Sequence, residues 1–133
     1  MNTIIQISAD FIEGNTNFID LISTIKQCFA VNEIIVPQRH HHDFPNPEIG
    51  QDSTMLLMPA WHPSKDAGVK IVTVSPENGK FNLPSIQGTY IYLDASNGKL
   101  KALLEAKSLT VKRTSAASAL DSYYLSKFFA SSM

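Results

Sequence analysis

The sequence predicts an α+β domain, a mostly antiparallel sheet with helices packed on one face. A helical period of apolar residues occupies the first quarter of the chain. Several apolar, β-branched segments then follow one another with turn signals between them. A second helical period occupies the C-terminal fifth.

Residues 3–7 (TIIQI) are β-branched enough for a short strand, with Ile5 and Ile7 on one face. A polar turn is expected at Glu13-Gly14-Asn15-Thr16. Beyond it, Phe18, Leu21, Ile22, Ile25, Cys28 and Phe29 recur mostly at steps of three or four, which predicts a helix capped by Asn15 or Thr16. Cys28 falls on that apolar face and reads as a buried, inert thiol. Residues 33–36 are a strand candidate stopped near Pro37, and residues 43–53, with two prolines and a glycine, read as a loop.

The second half is richer in strands, predicted over residues 54–60, 69–75, 88–95 and 99–106. Asn97-Gly98 between the last two favours a type I′ hairpin turn. Residues 110–129 read as the final helix, with Ala116, Leu120, Tyr124 and Phe128 four apart.

A length of 133 residues fits a single domain, taken as 1–133, and 44% hydrophobic content argues against disorder. The net charge is −1 and the 11 basic residues form no block, so nucleic acid is not an expected partner. No stretch approaches the run of about 18 apolar residues that spans a bilayer. The opening MNTIIQISAD lacks the features of a signal peptide, so the expected location is cytoplasmic and no membrane partner is expected.

Three places stand out chemically. Lys70 shares a strand face with Val72 and Val74, and the other face is also largely apolar, so its ammonium should be partly desolvated. Such a cation requires an anion or loses its proton; the alternatives are a lysine snorkelling to water or an internal ion pair. If Ser108 or Thr110 caps the last helix, Lys112 and Arg113 fall near its first turn, where they oppose the helix dipole unless an anion binds or both point into solvent. The run Arg39-His40-His41-His42-Asp43, with His62 as a further ligand, suggests a metal. Alternate residues of an extended chain face opposite ways, however, and a solvated loop with no metal is the favoured reading. The carboxylates and serines sit in no catalytic motif, and the six glycines form neither G-x-G-x-x-G nor a Walker loop. No cofactor is therefore expected to bind this chain alone.

Four segments together resemble the ornithine cyclodeaminase/mu-crystallin family across nearly the whole chain. They are Val36-Pro37-x-Arg39, Leu57-Met58-Pro59-Ala60-Trp61, GVKIVTVSPENGKFNLPSIQG at 68–88, and LTVKRTSAASALDSYYLSK at 109–127. The resemblance implies a substrate-binding and dimerisation domain that precedes a Rossmann domain in an NAD- or NADP-dependent enzyme acting on amino or imino acids. Arg39, Lys70 and Arg113 resemble the family's substrate-carboxylate ligands, with Lys70 also a possible catalytic group. Met58 and Ser85 stand at positions near the substrate, and Thr114 resembles a residue that approaches the cofactor phosphates. The segment Ala130-Ser131-Ser132-Met133 falls where the linker to the Rossmann domain begins, so that domain is expected to be absent here and the isolated chain inactive. Ornithine cyclodeaminase, ketimine reductase and alanine dehydrogenase activities stay open. So do a non-catalytic small-ligand carrier of the mu-crystallin type and a dimerising pseudo-subunit. A homodimer is implied, with Phe18, Tyr90, Tyr92 and Leu93 adding apolar surface for self-association.

Overall fold

The computed structural model describes residues 4–30 and 33–131. Along the chain run β1 (Ile5–Ile7), α1 (Ala9–Asn15), α2 (Phe18–Ala30), β2 (His40–Phe44), β3 (Ser53–Trp61) and β4 (Asp66–Val74). A 3-10 helix (Pro76–Phe81), β5 (Ile86–Asp94), β6 (Leu100–Glu105) and α3 (Ala106–Ser131) follow. The strands form one sheet in the order β1-β6-β5-β4-β3-β2.

Strands β2 to β6 pair antiparallel in sequence, and β1 pairs parallel to β6. The sheet is therefore mixed, which corrects the expected mostly antiparallel one. A parallel neighbour needs a long crossover, and here α1, α2 and the whole meander separate β1 from β6 in sequence. The four strands expected in the second half are present, with ends moved by a few residues. Residue 3 of the expected first strand, and Ser132 and Met133 of the expected linker, lie outside the described residues, as does the side chain of Phe128.

Several local expectations give way to particular hydrogen bonds. The turn expected at residues 13–16 is the end of α1, which starts where Ser8 Oγ accepts from the Phe11 N–H at 3.2 Å and which buries Ile12. Asn17, not Asn15 or Thr16, caps α2: its side-chain oxygen accepts from the Ile19 and Asp20 N–H groups at 2.9 and 3.3 Å. Residues 33–36 contribute only an isolated bridge, Ile35 to Trp61. Cys28 is exposed, because the part-buried stripe of α2 runs through Leu21, Ile22 and Ile25 and ends before it. The Asn97-Gly98 turn is not type I′, which needs positive φ at both residues. Gly98 alone has it, at 75°, and a longer loop closes with the Gly98 N–H donating to the Asp94 carbonyl at 2.8 Å.

The largest shift is at α3, which starts at Ala106 rather than near residue 110. The Glu105 carboxylate accepts from the Lys107 and Ser108 N–H groups at 2.7 and 2.8 Å, so an acid takes the capping position expected of Ser108 or Thr110. Lys112 and Arg113 consequently sit in the second turn, beyond the helix's first N–H groups.

Strand register decides which side chains meet the helices. The even-numbered residues of β3, β4 and β5 share one face, on which α3 packs against β5 while α1 and α2 pack on α3. The helix can approach closely because Gly88 and Ala106 meet there: a Cβ on Gly88 would stand 3.1 Å from Ala106 Cβ. Among the described residues the buried apolar side chains are Ile12, Ala102, Ala106, Ala116 and Leu120, all on helices or on this covered face. On the opposite face Leu57, Val69, Ile71, Ile91 and Leu103 are only part-buried. Of the residues expected to promote self-association, Leu93 is on this open face and Phe18 is exposed, whereas Tyr90 and Tyr92 turn to the helix side.

Lys112 does not point into solvent. Its ammonium donates to the Glu13 carbonyl at 3.1 Å and to Thr16 Oγ1 at 2.5 Å, with the Ile12 and Thr16 carbonyls at 3.5 and 3.4 Å. A cation is favourable at the carbonyl end of α1, and this one ties α1 to α3. Lys112→Met should lower stability by about 1–3 kcal/mol, the range for a hydrogen-bonded charge. Urea unfolding checks this, and an unchanged midpoint would show that the clamp contributes nothing.

Candidate functional site

Lys70 lies in β4 directly opposite Met58 of β3 on one side and Tyr90 of β5 on the other, and Tyr90 lies opposite Leu104 of β6. Directly opposed residues project from the same face, so Met58, Lys70, Tyr90 and Leu104 form a row under the helices. Met58, Lys70 and Ser85 line a cavity of 580 Å³, walled by Val72 and Ile86 and roofed by the start of α3, including Lys107 and Thr110. No Asp or Glu lines it among the described residues.

Burial pushes the Lys70 ammonium below the usual lysine range, and the Arg113 guanidinium adds to the effect. Its nearest hydrogen-bond partner is neutral, Thr110 Oγ1 at 3.5 Å. Tyr90 feels the same neighbour: burial raises its phenol, and Arg113 partly offsets the shift. Arg113 carries its charge near the Lys70–Tyr90 pair, but it is exposed and lies outside the cavity lining. The structure therefore brings Met58, Lys70 and Ser85 to one cavity and places the Arg113 charge within reach of Lys70.

Arg39 is exposed and immediately precedes β2, outside the cavity lining. The ladder pairs His40 with Leu57, so one further step in register would set Arg39 opposite Met58, in the Lys70 row. Thr114 is exposed beside Arg113 on α3. The histidine run is an edge strand rather than a loop. His41 Nε2 lies 3.0 Å from Asp43 Oδ1, while His40 and His42 stack their rings on the other face. The Thr54 hydroxyl, then His41, hold the Asp43 carboxyl below its usual range. His62 pairs instead with Glu33 at 2.6 Å, and the described residues gather no group of three metal-ligating side chains.

Tyr90, Thr110 and Lys107 escaped the sequence reading of the site. Thr110 and Lys107 were hidden by the misplaced start of α3. Tyr90 could have been found from the hairpin register, which sets it beside Lys70.

The ornithine cyclodeaminase/mu-crystallin family model matches residues 2–133. An uncharacterised Schizosaccharomyces pombe protein is 41% identical over 123 residues, covering 91% of this chain and 37% of its own length. A Δ1-pyrroline-2-carboxylate reductase of Colwellia psychrerythraea is 32% identical over 122 residues, covering 91% of this chain and 38% of the reductase. Among solved structures, the Thermococcus litoralis Δ1-pyrroline-2-carboxylate reductase in complex with NADH and L-proline superposes with a TM-score of 0.69 and 27% identity. It covers 86% of this chain and 36% of that one. The chain thus spans little more than a third of the length of these relatives.

A lysine with a lowered folded-state pKa binds fewer protons folded than unfolded between that pKa and the ordinary value of about 10.4. Stability gains from Lys70 therefore accrue as pH rises through that window, and its cost is full below it. Lys70→Met should be at least as stable as the wild type at neutral pH, with the difference shrinking toward pH 10. Thermal unfolding of both proteins across that range checks this. A clear loss of stability in Lys70→Met at neutral pH would show that Lys70 has a stabilising partner.

Proposed function

The chain belongs to the ornithine cyclodeaminase/mu-crystallin family, and on that premise we propose that it is the substrate-binding and dimerisation part of an NAD(P)-dependent amino-acid or imino-acid oxidoreductase or cyclodeaminase. The observation that carries this reading is the part-buried Lys70 ammonium, with the Arg113 charge close by, in a cavity whose described lining includes no acid. The two positive charges repel, and Lys70 is also penalised by lost hydration. A carboxylate reverses both penalties, accepting from the guanidinium and the ammonium together. Arg39, one step from the Lys70 row, supplies a third donor. Met58 and the Ser85 segment bound the rest of the ligand, and the exposed Thr114 is the residue we assign to the cofactor phosphates.

The nicotinamide group supplies hydride exchange at the carbon α to the carboxylate, by way of an imine. This chain's residues hold the carboxylate and fix the direction in which that carbon points. Lys70, with its lowered pKa, also gives up a proton more readily than an ordinary lysine. Neighbouring glycines stand at least nine residues apart in the sequence, too far for a pyrophosphate loop. The 133-residue chain by itself therefore turns over no amino acid.

A chain of this mass should expose about 6,900 Å² as a compact monomer, whereas this one exposes 9674 Å². The open sheet face, with Leu57, Val69, Ile71 and Ile91, is the surface we assign to the homodimer. The chain should self-associate in sedimentation, and a clean monomer at high concentration would remove this assignment.

Titration with L-proline, followed by amide NMR, tests the carboxylate site. Shifts should concentrate at Lys70, Ser85 and Thr110, and Lys70→Met or Arg113→Met should weaken binding about tenfold or more. Equal affinity in both variants would sink the reading.

A further inference from the structure

A second cavity, of 370 Å³, lies on the same sheet face as the first and is floored by Ala60, Gly68, Tyr90 and Tyr92. Trp61 and, from α2, Cys28 add to its wall, and although His62 and Asp66 also line it, it is mostly apolar and aromatic. Lys70 lines the first cavity and its cross-strand partner Tyr90 lines the second, so the boundary between the two runs through this pair.

The Tyr90 side chain lies at that boundary, on the side of the second cavity. It lies along its strand over Gly68: a Cβ there would stand 2.6 Å from Tyr90 Oη, 2.7 Å from Cε1 and 2.9 Å from Cζ. Only a residue without a side chain leaves room for the ring in this position. Tyr92, by contrast, is pinned, because its hydroxyl donates to Asp66. Among the described residues the Tyr90 hydroxyl makes no such bond; burial and the Arg113 charge account for its environment. The ring is thus held by shape, not by a polar tether, between a cationic compartment and an aromatic one.

We propose that Tyr90 is the specificity-determining residue of the carboxylate site: it closes off the aromatic compartment beyond Gly68 and restricts the ligand to small aliphatic amino or imino acids. The proposal rests on the reading of Lys70 and Arg113 as the carboxylate site. With Tyr90 in place, a ligand held by its carboxylate at Lys70 has the 580 Å³ cavity alone. With a small residue at position 90 the two spaces join, and an aryl group attached to the same ligand gains the Trp61 and Tyr92 walls. One aromatic ring moved from water into such a site is worth about tenfold or more in affinity.

The test compares L-proline with 4-phenyl-L-proline, which carry the same carboxylate, on the 133-residue chain by NMR titration. The wild type and Tyr90→Phe should favour L-proline, since the ring rather than the hydroxyl forms the wall. Tyr90→Ala, and the strand-compatible Tyr90→Val should Tyr90→Ala fail to fold, should shift the ratio at least tenfold toward 4-phenyl-L-proline. An unchanged ratio in a folded Tyr90→Val that still binds L-proline overturns the Tyr90 proposal and leaves the carboxylate site standing. Loss of L-proline discrimination between wild type and Lys70→Met, or no binding of either ligand, overturns the carboxylate site and this proposal with it.

Discussion

The geometry of the site depends on how closely α3 approaches the sheet where Gly88 meets Ala106. Both residues are small, so the first turn of the helix rests on β5 instead of standing off it. Helical periodicity does the rest: one turn beyond Ala106 sets Thr110 3.5 Å from the Lys70 ammonium, and the next brings the Arg113 charge near enough to lower the Lys70 pKa. A larger side chain at either contact would lift α3 and rehydrate Lys70. The Glu105 carboxylate fixes where the helix starts, and so which residues fall on that stripe.

The parts of the fold legible in the sequence were those whose signal is local. Strands β3 to β6 announce themselves by β-branched runs between turn residues, and Lys70 stood out because a cation had no reason to sit among Val69, Ile71, Val72 and Val74. Elements that rely on partners distant in sequence were not legible. Strand β2 is a polar edge strand, His40–Phe44, with no apolar alternation, and only pairing with β3 makes it a strand. Helix α1 carries Gly14 and spans seven residues; it depends on Ile12 packing and on Lys112, about a hundred residues later. The start of α3 was misplaced because an acid caps it where Ser or Thr was expected, and that error concealed Thr110 and Lys107.

The two sheet faces divide the labour. The covered face carries the core and both cavities, with Lys70 at one of them. The open face presents part-buried apolar side chains that no described helix covers. The relatives that it matches are nearly three times its length. The cost of burying Lys70 serves no evident purpose in folding, since its only hydrogen-bond partner among the described residues is a neutral threonine at the limit of contact. It is the kind of local conflict that marks a binding site.

The most direct measurement is the titration of Lys70 itself, followed through the NMR signals of its ε-methylene group with and without L-proline. A desolvated ammonium beside Arg113 should titrate below the ordinary lysine value when the site is empty. Added carboxylate should move that titration upward, because the anion stabilises the charged form. A Lys70 that titrates as a solvent-exposed lysine, or that is unmoved by saturating carboxylate, would contradict the account.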